Sequence, residues 1–207
     1  MGIAAVCALV AAMGALIHPA VLLAGSAATL FTLYFFRDPE RKIMAAAGQI
    51  VAPADGKVLS IDEVDEKDFM GGRCKRVSIF LSIFDVHINR APVGGTVGMV
   101  HYRPGNFAFA NTMDASRNNE NNSIGIEGNE FKVLVRQIAG AVARRIVCYC
   151  RPSERVRTGD RIGMIRFGSR TELYLPLECE ILVSAGQRVK GGVSLVGAYY
   201  AANEKKA

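Results

Sequence analysis

Val77-Ser78-Ile79-Phe80-Leu81-Ser82-Ile83 decides the fold. Its β-branched and aromatic residues alternate with two serines at a period of two, which is the pattern of a strand and not of a helix. Outward from it, Phe131 to Ile138, Arg144 to Tyr149 and Glu172 to Leu175 are equally short and β-rich, with Gly and Pro between them. After residue 42 only Asn106 to Arg117 offers a helical stripe. Val156-x-x-Gly159-Asp160-Arg161-Ile162 returns 27 residues later as Val183-x-x-Gly186-Gln187-Arg188-Val189, a spacing that suits two similar hairpins. The expected body is mainly β, a compact barrel or sandwich covering residues 37–207.

A different piece precedes it. Gly2 to Phe36 is a run of 35 residues without Asp, Glu, Lys or Arg, so the 25 basic and 19 acidic residues all lie elsewhere. One helix through that run would be about 52 Å long, beyond the ~30 Å hydrocarbon layer. His18-Pro19 divides it into Ile3 to Ile17 and Ala20 to Phe36, because proline suits the start of a second helix. Residues 1–36 therefore predict an apolar helical hairpin, integral or peripheral to a membrane. The competing readings are a cleaved signal peptide ending near Ala24-Gly25-Ser26-Ala27 and a buried soluble hairpin. Arg37, Arg41 and Lys42 follow at once and place the body on the cytoplasmic face, where a net charge of +6 favours anionic lipid. No recognition helix, aromatic platform or dense basic stripe points to nucleic acid. The five cysteines lack metal-type spacing and fit reduced, structural thiols.

Three polar interruptions break the β pattern. Asp85-Val86-His87-Ile88-Asn89-Arg90 holds one of only three histidines. His18 reads as a helix-end residue and His101 as structural. Ala52-Pro53-Ala54-Asp55-Gly56-Lys57-Val58 is by itself a turn. Ile165-Arg166-Phe167-Gly168-Ser169-Arg170 sets a serine after a glycine between two strand-like segments. A nucleophilic serine needs a base and the base an orienting group, roles that His87 and Asp55 supply if the fold brings them to Ser169.

These segments carry a resemblance. Phe36-Arg37-Asp38-Pro39-Glu40-Arg41, Pro53 to Val58, Asp85 to Arg90 with Pro92, Ala115-Ser116 with Asn119-Glu120, Gln137 to Gly140 with Ala143 to Ile146, and Arg161 to Arg170 stand in this order. Together they resemble the short, prokaryotic form of phosphatidylserine decarboxylase proenzymes, over about residues 35–200. The resemblance implies a carboxy-lyase that converts phosphatidylserine of the membrane to phosphatidylethanolamine and CO2. It also implies self-cleavage between Gly168 and Ser169, giving a β chain 1–168 and an α chain 169–207 that stay together as a heterodimer. By that analogy His87, oriented by Asp55, deprotonates Ser169, which attacks the Gly168 carbonyl. Ser169 becomes a covalent pyruvoyl group that forms a Schiff base with the substrate amine, and His87 reprotonates the product carbanion. No metal and no pyridoxal phosphate is implied. Gly168, lacking a Cβ, leaves its carbonyl open to attack. The chain departs from the family at Asp114 and Asn121, where relatives usually carry Lys and Arg. Competing readings are a membrane-tethered carrier domain with Lys57 at a hairpin tip, and a self-cleaving precursor acting on a soluble amino acid.

Overall fold

The computed structural model describes residues 2–14, 18–106, 119–140, 145–166 and 169–200. The chain divides into two compact units, Met1–Pro39 and Glu40–Ala207. In the first, α1 (Gly2–Gly14) and α2 (Pro19–Phe35) pack against each other. His18 caps α2: its Nδ1 accepts from the Ala20 amide at 3.2 Å, and Pro19 occupies the first turn, where its missing N–H costs nothing. Gly14 permits the close approach, since a Cβ there would lie 2.2 Å from Val21 Cγ1. At 13 and 17 residues the helices are about 20 and 25 Å long. No helix among the described residues is long and apolar enough to cross a membrane.

In the second unit the named elements among the described residues are all strands, as the alternation predicts. Its strands are β1 (Gln49–Val51), β2 (Gly56–Glu66), β3 (Gly72–Leu81), β4 (Ile88–Arg90), β5 (Gly95–Arg103), β6 (Asn121–Glu127), β7 (Lys132–Ile138), β8 (Ile146–Cys148), β9 (Arg155–Val156), β10 (Arg161–Ile165), β11 (Ser169–Leu175), β12 (Glu180–Ile181), β13 (Arg188–Val189) and β14 (Leu195–Ala198). An eight-stranded sheet, ordered β13-β2-β3-β11-β7-β6-β5-β9, curls into a half-barrel. Two three-stranded sheets, β1-β14-β12 and β4-β10-β8, complete the unit, and every named strand pair is antiparallel.

Val77, Ile79 and Leu81 of β3 and Leu173 and Leu175 of β11 share the main apolar cluster with Val133, Val135, Ile124 and Ile126. Removing such side chains from water is the main drive for closing the sheet. The alternate positions of β3 and β11 are also covered, and Ser78, Arg170 and Glu172 are fully or almost fully buried. The serines of the deciding stretch therefore alternate with apolar residues without all being at a solvent face.

The internal repeat is a repeated turn and not a repeated hairpin. In both copies the fourth turn residue bonds back to the first: Asp160 N to Arg157 O at 3.0 Å, Gln187 N to Ser184 O at 3.2 Å. In both, its side chain also accepts the first residue's amide, at 2.8 and 3.1 Å. Gly159 and Gly186 supply the positive φ, 85° and 90°. The flanking strands then go to unrelated partners, β9 to β5, β10 to β4 and β8, β12 to β14 and β13 to β2. Lys57 is the second residue of β2, paired with Phe80, and not at a hairpin tip. Of the expected helical stripe, Asn106 bridges to Asn119, and residues 107–118, with Asp114, lie outside the described residues. Asn121 is buried and donates to the Asn119 carbonyl at 2.9 Å.

Candidate active site

The register gathers the polar interruptions at one end of the half-barrel. Ser169, the first residue of β11, pairs with Leu81, the last of β3. Lys57 pairs with Phe80, so Asp55 and Gly56 lie beside the same end of β3 on its other flank. Gly56 is required there: φ is 153°, and a Cβ would lie 2.1 Å from the Phe80 carbonyl oxygen. The chain leaves β3 through a turn at Ser82–Asp85, in which the Asp85 carboxylate accepts the Ser82 amide at 2.8 Å and its hydroxyl at 2.7 Å. His87 follows, and its carbonyl accepts the amide of Ile165 at 3.2 Å. That places His87 against the strand which, four residues later, delivers Ser169.

The polar run around His87 is taken into the core. Asp85, His87, Asn89 and Arg90 are all buried, His87 at 1% exposure. His87 Nδ1 lies 3.0 Å from the Asp85 carbonyl oxygen. A carbonyl can only accept, so Nδ1 carries the hydrogen, and in the neutral ring Nε2 is the basic nitrogen. Nε2 is itself buried. Ser169 is wholly buried, and its hydroxyl makes no hydrogen bond to a described residue. Gly168 lies outside the described residues.

Asp55 reaches the same end with different partners. Its Oδ2 accepts from Arg41 at 2.9 Å and its Oδ1 from the Gly191 amide at 2.8 Å. One hydrogen bond to the His87 ring comes from the backbone of Asp85, and Asp55 ties residue 41 and the β13–β14 connection to the head of β2. His18 caps a helix in the other unit, and His101 lies exposed in β5 opposite Ser123.

Two buried networks around β11 were not legible in the sequence as networks. The first is a buried amide ladder. Asn122 donates to Gln137 at 2.9 Å, Gln137 to Asn89 at 2.8 Å, and Asn89 to the Thr171 hydroxyl at 2.9 Å. It crosses from β6 through β7 and β4 to β11, ending two residues from Ser169 on the same face of the strand. Gly163 makes room for it, since a Cβ would meet Gln137 Nε2 at 2.6 Å. Asn89 and Gln137 fall within the segments that carry the resemblance; for Asn122 and Thr171 a polar residue within a short strand pattern is the signal.

The second lies on the opposite face of β11. Arg170 donates to Ser78 at 2.7 Å and pairs with Glu172 at 2.9 Å. Tyr174 donates to Glu172 at 2.6 Å, and Arg136 joins Tyr174, Ser123 and Glu66 at 2.8 to 3.0 Å. Burial pulls the Arg170 guanidinium below its ordinary range, with Glu172 opposing. Burial, reinforced by Glu172, pushes the Tyr174 phenol up. Arg170 is thus engaged in holding β11 and faces away from Ser169. Among the described residues no group of three or more His, Cys, Asp or Glu could hold a metal ion.

A mainly β body with a buried serine and a carboxylate flanking one end of a half-barrel strand, and a buried histidine in the segment that follows that strand, carries the residue types of an enzyme site. Its class comes from proteins of similar sequence. The family model described as phosphatidylserine decarboxylase matches residues 28–197. The phosphatidylserine decarboxylase proenzyme of Carboxydothermus hydrogenoformans is 50% identical over 169 residues, 81% of this chain and 79% of that one. The proenzyme of the same name from Chlorobium phaeobacteroides is 46% identical over 198 residues, 94% and 93% of the two chains. That of Desulfotalea psychrophila is 44% identical over 171 residues, 82% and 80%. The chain belongs to the phosphatidylserine decarboxylase family, carboxy-lyases of phospholipid biosynthesis.

Proposed function

We propose that this chain is a self-processing precursor which decarboxylates phosphatidylserine to phosphatidylethanolamine and CO2 with a pyruvoyl group made from Ser169. The observation that carries the reading is the Ser169 hydroxyl, enclosed at the head of the central strand and bonded to no described residue. A structural serine in a core would have a partner, because an unpaired buried hydroxyl costs about 1–3 kcal/mol. The position therefore fits a group that is to be consumed and replaced by a carbonyl.

In processing, Ser169 Oγ gives its proton to Nε2 of His87 and attacks the carbonyl carbon of Gly168, which the chain itself holds in reach through the Ser169 backbone. The peptide C–N bond breaks, the amine nitrogen takes the proton, and an ester joins the two segments. Loss of the Ser169 Cα proton and cleavage of Cβ–Oγ free the Gly168 carboxylate and leave a dehydroalanine. Hydrolysis releases ammonia and leaves the ketoacyl end of residues 169–207. When formed, the pyruvoyl group supplies an electrophilic carbonyl for the headgroup amine and a sink for the electron pair left by the departing CO2. His87 Nε2 returns a proton to the carbon that lost the carboxylate, with Asp85 O holding the ring. Asp55 acts as a positioning residue: through Arg41 and Gly191 it fixes the strand end beside which His87 folds.

Residues 1–36 seat the protein at the cytoplasmic face of the cell membrane. The uncharged helices expose Leu9, Leu23, Leu30 and Leu33 at 60% or more, an apolar surface that one leaflet would cover.

The mass of the purified polypeptide tests this reading. Two chains ending and beginning at residues 168 and 169 are expected, the smaller with a ketoacyl N-terminus, and one uncut chain for Ser169→Ala. An uncut wild-type chain that turns over lipid, or a Ser169→Ala chain that still splits, overturns it.

A further inference from the structure

Glu120 stands level with Ser169 on the same side of the large sheet. Arg170 pairs with Ile138 and Ile138 with Asn121, so one step nearer the site end the row reads Ser169, Ala139, Glu120. The Ala139 amide donates to the Glu120 carbonyl at 2.9 Å and carries that register past the named strands. Residues opposite each other across a ladder share a face, as do residues two apart along a strand. Tyr102 fixes the face independently. It pairs with Asn122, whose side chain opens the amide ladder that ends at Thr171, two residues from Ser169. The Tyr102 phenol is raised above its ordinary range by burial first, then by the charge of Glu120 and a hydrogen bond to it. The Glu120 carboxylate therefore lies on the face that Tyr102 and Ser169 share.

Glu120 is 8% exposed, and its backbone is held on both sides, the amide by the Asn106 carbonyl at 3.0 Å and the carbonyl by Ala139. Among the described residues no Lys or Arg pairs with its carboxylate, whereas the buried Glu66 and Glu172 meet Arg136, Arg76 and Arg170. A carboxylate withdrawn from water is costly unless a cation is held against it. On β7 the position between Glu120 and Ser169 is Ala139, a side chain of one carbon. At about 4.8 Å per strand the two backbones are roughly 10 Å apart. A glutamate side chain from one side and a headgroup amine brought to residue 169 from the other close that gap.

We propose that Glu120 is the counter-ion that receives the headgroup ammonium beside residue 169, with the Tyr102 phenol steadying its carboxylate. The inference rests on the reading above, that a lipid amine has to meet residue 169, and it names the group that selects that amine. A lipid whose headgroup carries no cation leaves the buried carboxylate without its partner and is refused. The same charge turns the headgroup, because the ammonium is drawn toward Glu120 and the substrate's own carboxylate is driven away from it.

Two short-chain phospholipids, dispersed below their micelle concentration, separate charge from shape. One has an N,N-dimethylethanolamine headgroup, a cation that cannot condense with a carbonyl, and the other has a 3-methylbutyl group, its uncharged isostere. Calorimetric binding to the processed full-length wild type is expected to favour the cation about tenfold, the effect of one charge-assisted contact. Glu120→Gln keeps the shape and an acceptor for Tyr102. It is expected to split as the wild type does and to bind the two lipids alike, while its KM for dispersed phosphatidylserine rises about tenfold and kcat changes far less. Equal binding of the two lipids by the wild type overturns the proposal, and so does a preference for the cation that survives in Glu120→Gln. If Glu120→Gln does not split, Glu120→Asp, with the charge drawn back by one methylene, is expected to split and to keep a reduced preference. An undiminished preference there, or failure of both variants to split, overturns the assignment. Failure of the functional reading is separate, since the wild type would then neither split nor release CO2, whichever lipid it binds.

Discussion

Asn89 Nδ2 donates to Thr171 Oγ1 across 2.9 Å, and that bond ties the strand leaving His87 to the strand that begins at Ser169. The two strands belong to different sheets, so no ladder of backbone bonds between β4 and β11 fixes their spacing. Asn89→Leu should remove the tie and leave Gln137 Nε2 and the Thr171 hydroxyl unpaired in the core, at about 1–3 kcal/mol for each orphaned group. The expected outcome is a lower thermal midpoint and slower appearance of the cleaved chains, with Thr171→Val giving the same direction from the other side. Time courses of cleavage after synthesis check it. Wild-type cleavage rates in a destabilised Asn89→Leu would show that the ladder supports the fold and not the site.

Behind the same strand, Glu172 compensates two arginines. Arg170 and Glu172 are 1% and 0% exposed, and Arg76 approaches Glu172 at 3.7 Å. Glu172→Gln keeps the volume and deletes the charge, leaving Arg170 desolvated beside a neutral amide. A loss of about 3–5 kcal/mol is expected, read as a lower denaturant midpoint. Arg170→Met combined with Glu172→Leu should recover much of it. A neutral Glu172→Gln would mean that the guanidinium is held by Ser78 and solvent alone.

These two clusters mark where the sequence stops being readable. The alternation of Val77 to Leu81 announces β3 because its apolar positions meet one core. Glu172 to Leu175 announces only the end of β11, because Arg170 and Glu172 look like solvent residues and are compensated by Ser78 and Arg76 on β3 and by Tyr174 further along β11. β2 is the longest strand and gave no signal: Asp62-Glu63-Val64-Asp65-Glu66 is polar, and its acids answer Arg73, Arg76 and Arg136 across the sheet. Asn121 and Asn122 open β6 in the core for the same reason, with Asn122 bonding Gln137 15 residues on. Asp55, His87 and Ser169 were legible as residue types and through family resemblance. That Asp55 and Ser169 flank the same end of β3 was not, since it depends on the Leu81–Ser169 and Phe80–Lys57 pairings. The twice-used Val-x-x-Gly turn shows the limit plainly, because a local pattern fixed the turn and distant partners decided where its strands went.

Alkaline solution should unfold the body through its thiols. Burial is the main cause that raises the pKa of Cys150 and Cys179 from 9.0 to about 12 and of Cys74 to about 11. The folded state therefore keeps each proton more tightly than the unfolded chain does. The stabilisation is complete below about pH 9 and is lost as pH rises toward 11 to 12. Denaturant midpoints measured from pH 8 to 11 should fall, and the fall should be shallower when the three cysteines are replaced by alanine. The same thiols should resist alkylation at pH 8 in the native protein. A midpoint that is flat across this range would mean that the thiolates find solvent without unfolding.

The proposed cut should not release the smaller chain. Residues 169–207 supply β11, which lies between β3 and β7 and is in register with both, β13 against β2, and β14 between β1 and β12. Thus three of the four strands among its described residues pair with strands of residues 1–168, in two sheets. β11 brings Leu173 and Leu175 into the main core and Arg170 into an ion pair whose partner hydroxyl, Ser78, is on the larger chain. Breaking one peptide bond at the head of β11 removes none of these contacts. It adds to unfolding only the entropy of one freed joint, which grows slowly with chain length. The processed protein is expected to run as one species in native gel filtration and to separate only in denaturant. Labelled peptide 169–207 added to it should not exchange in. Separation at neutral pH without denaturant would mean that the strand order across the cut is not kept after processing.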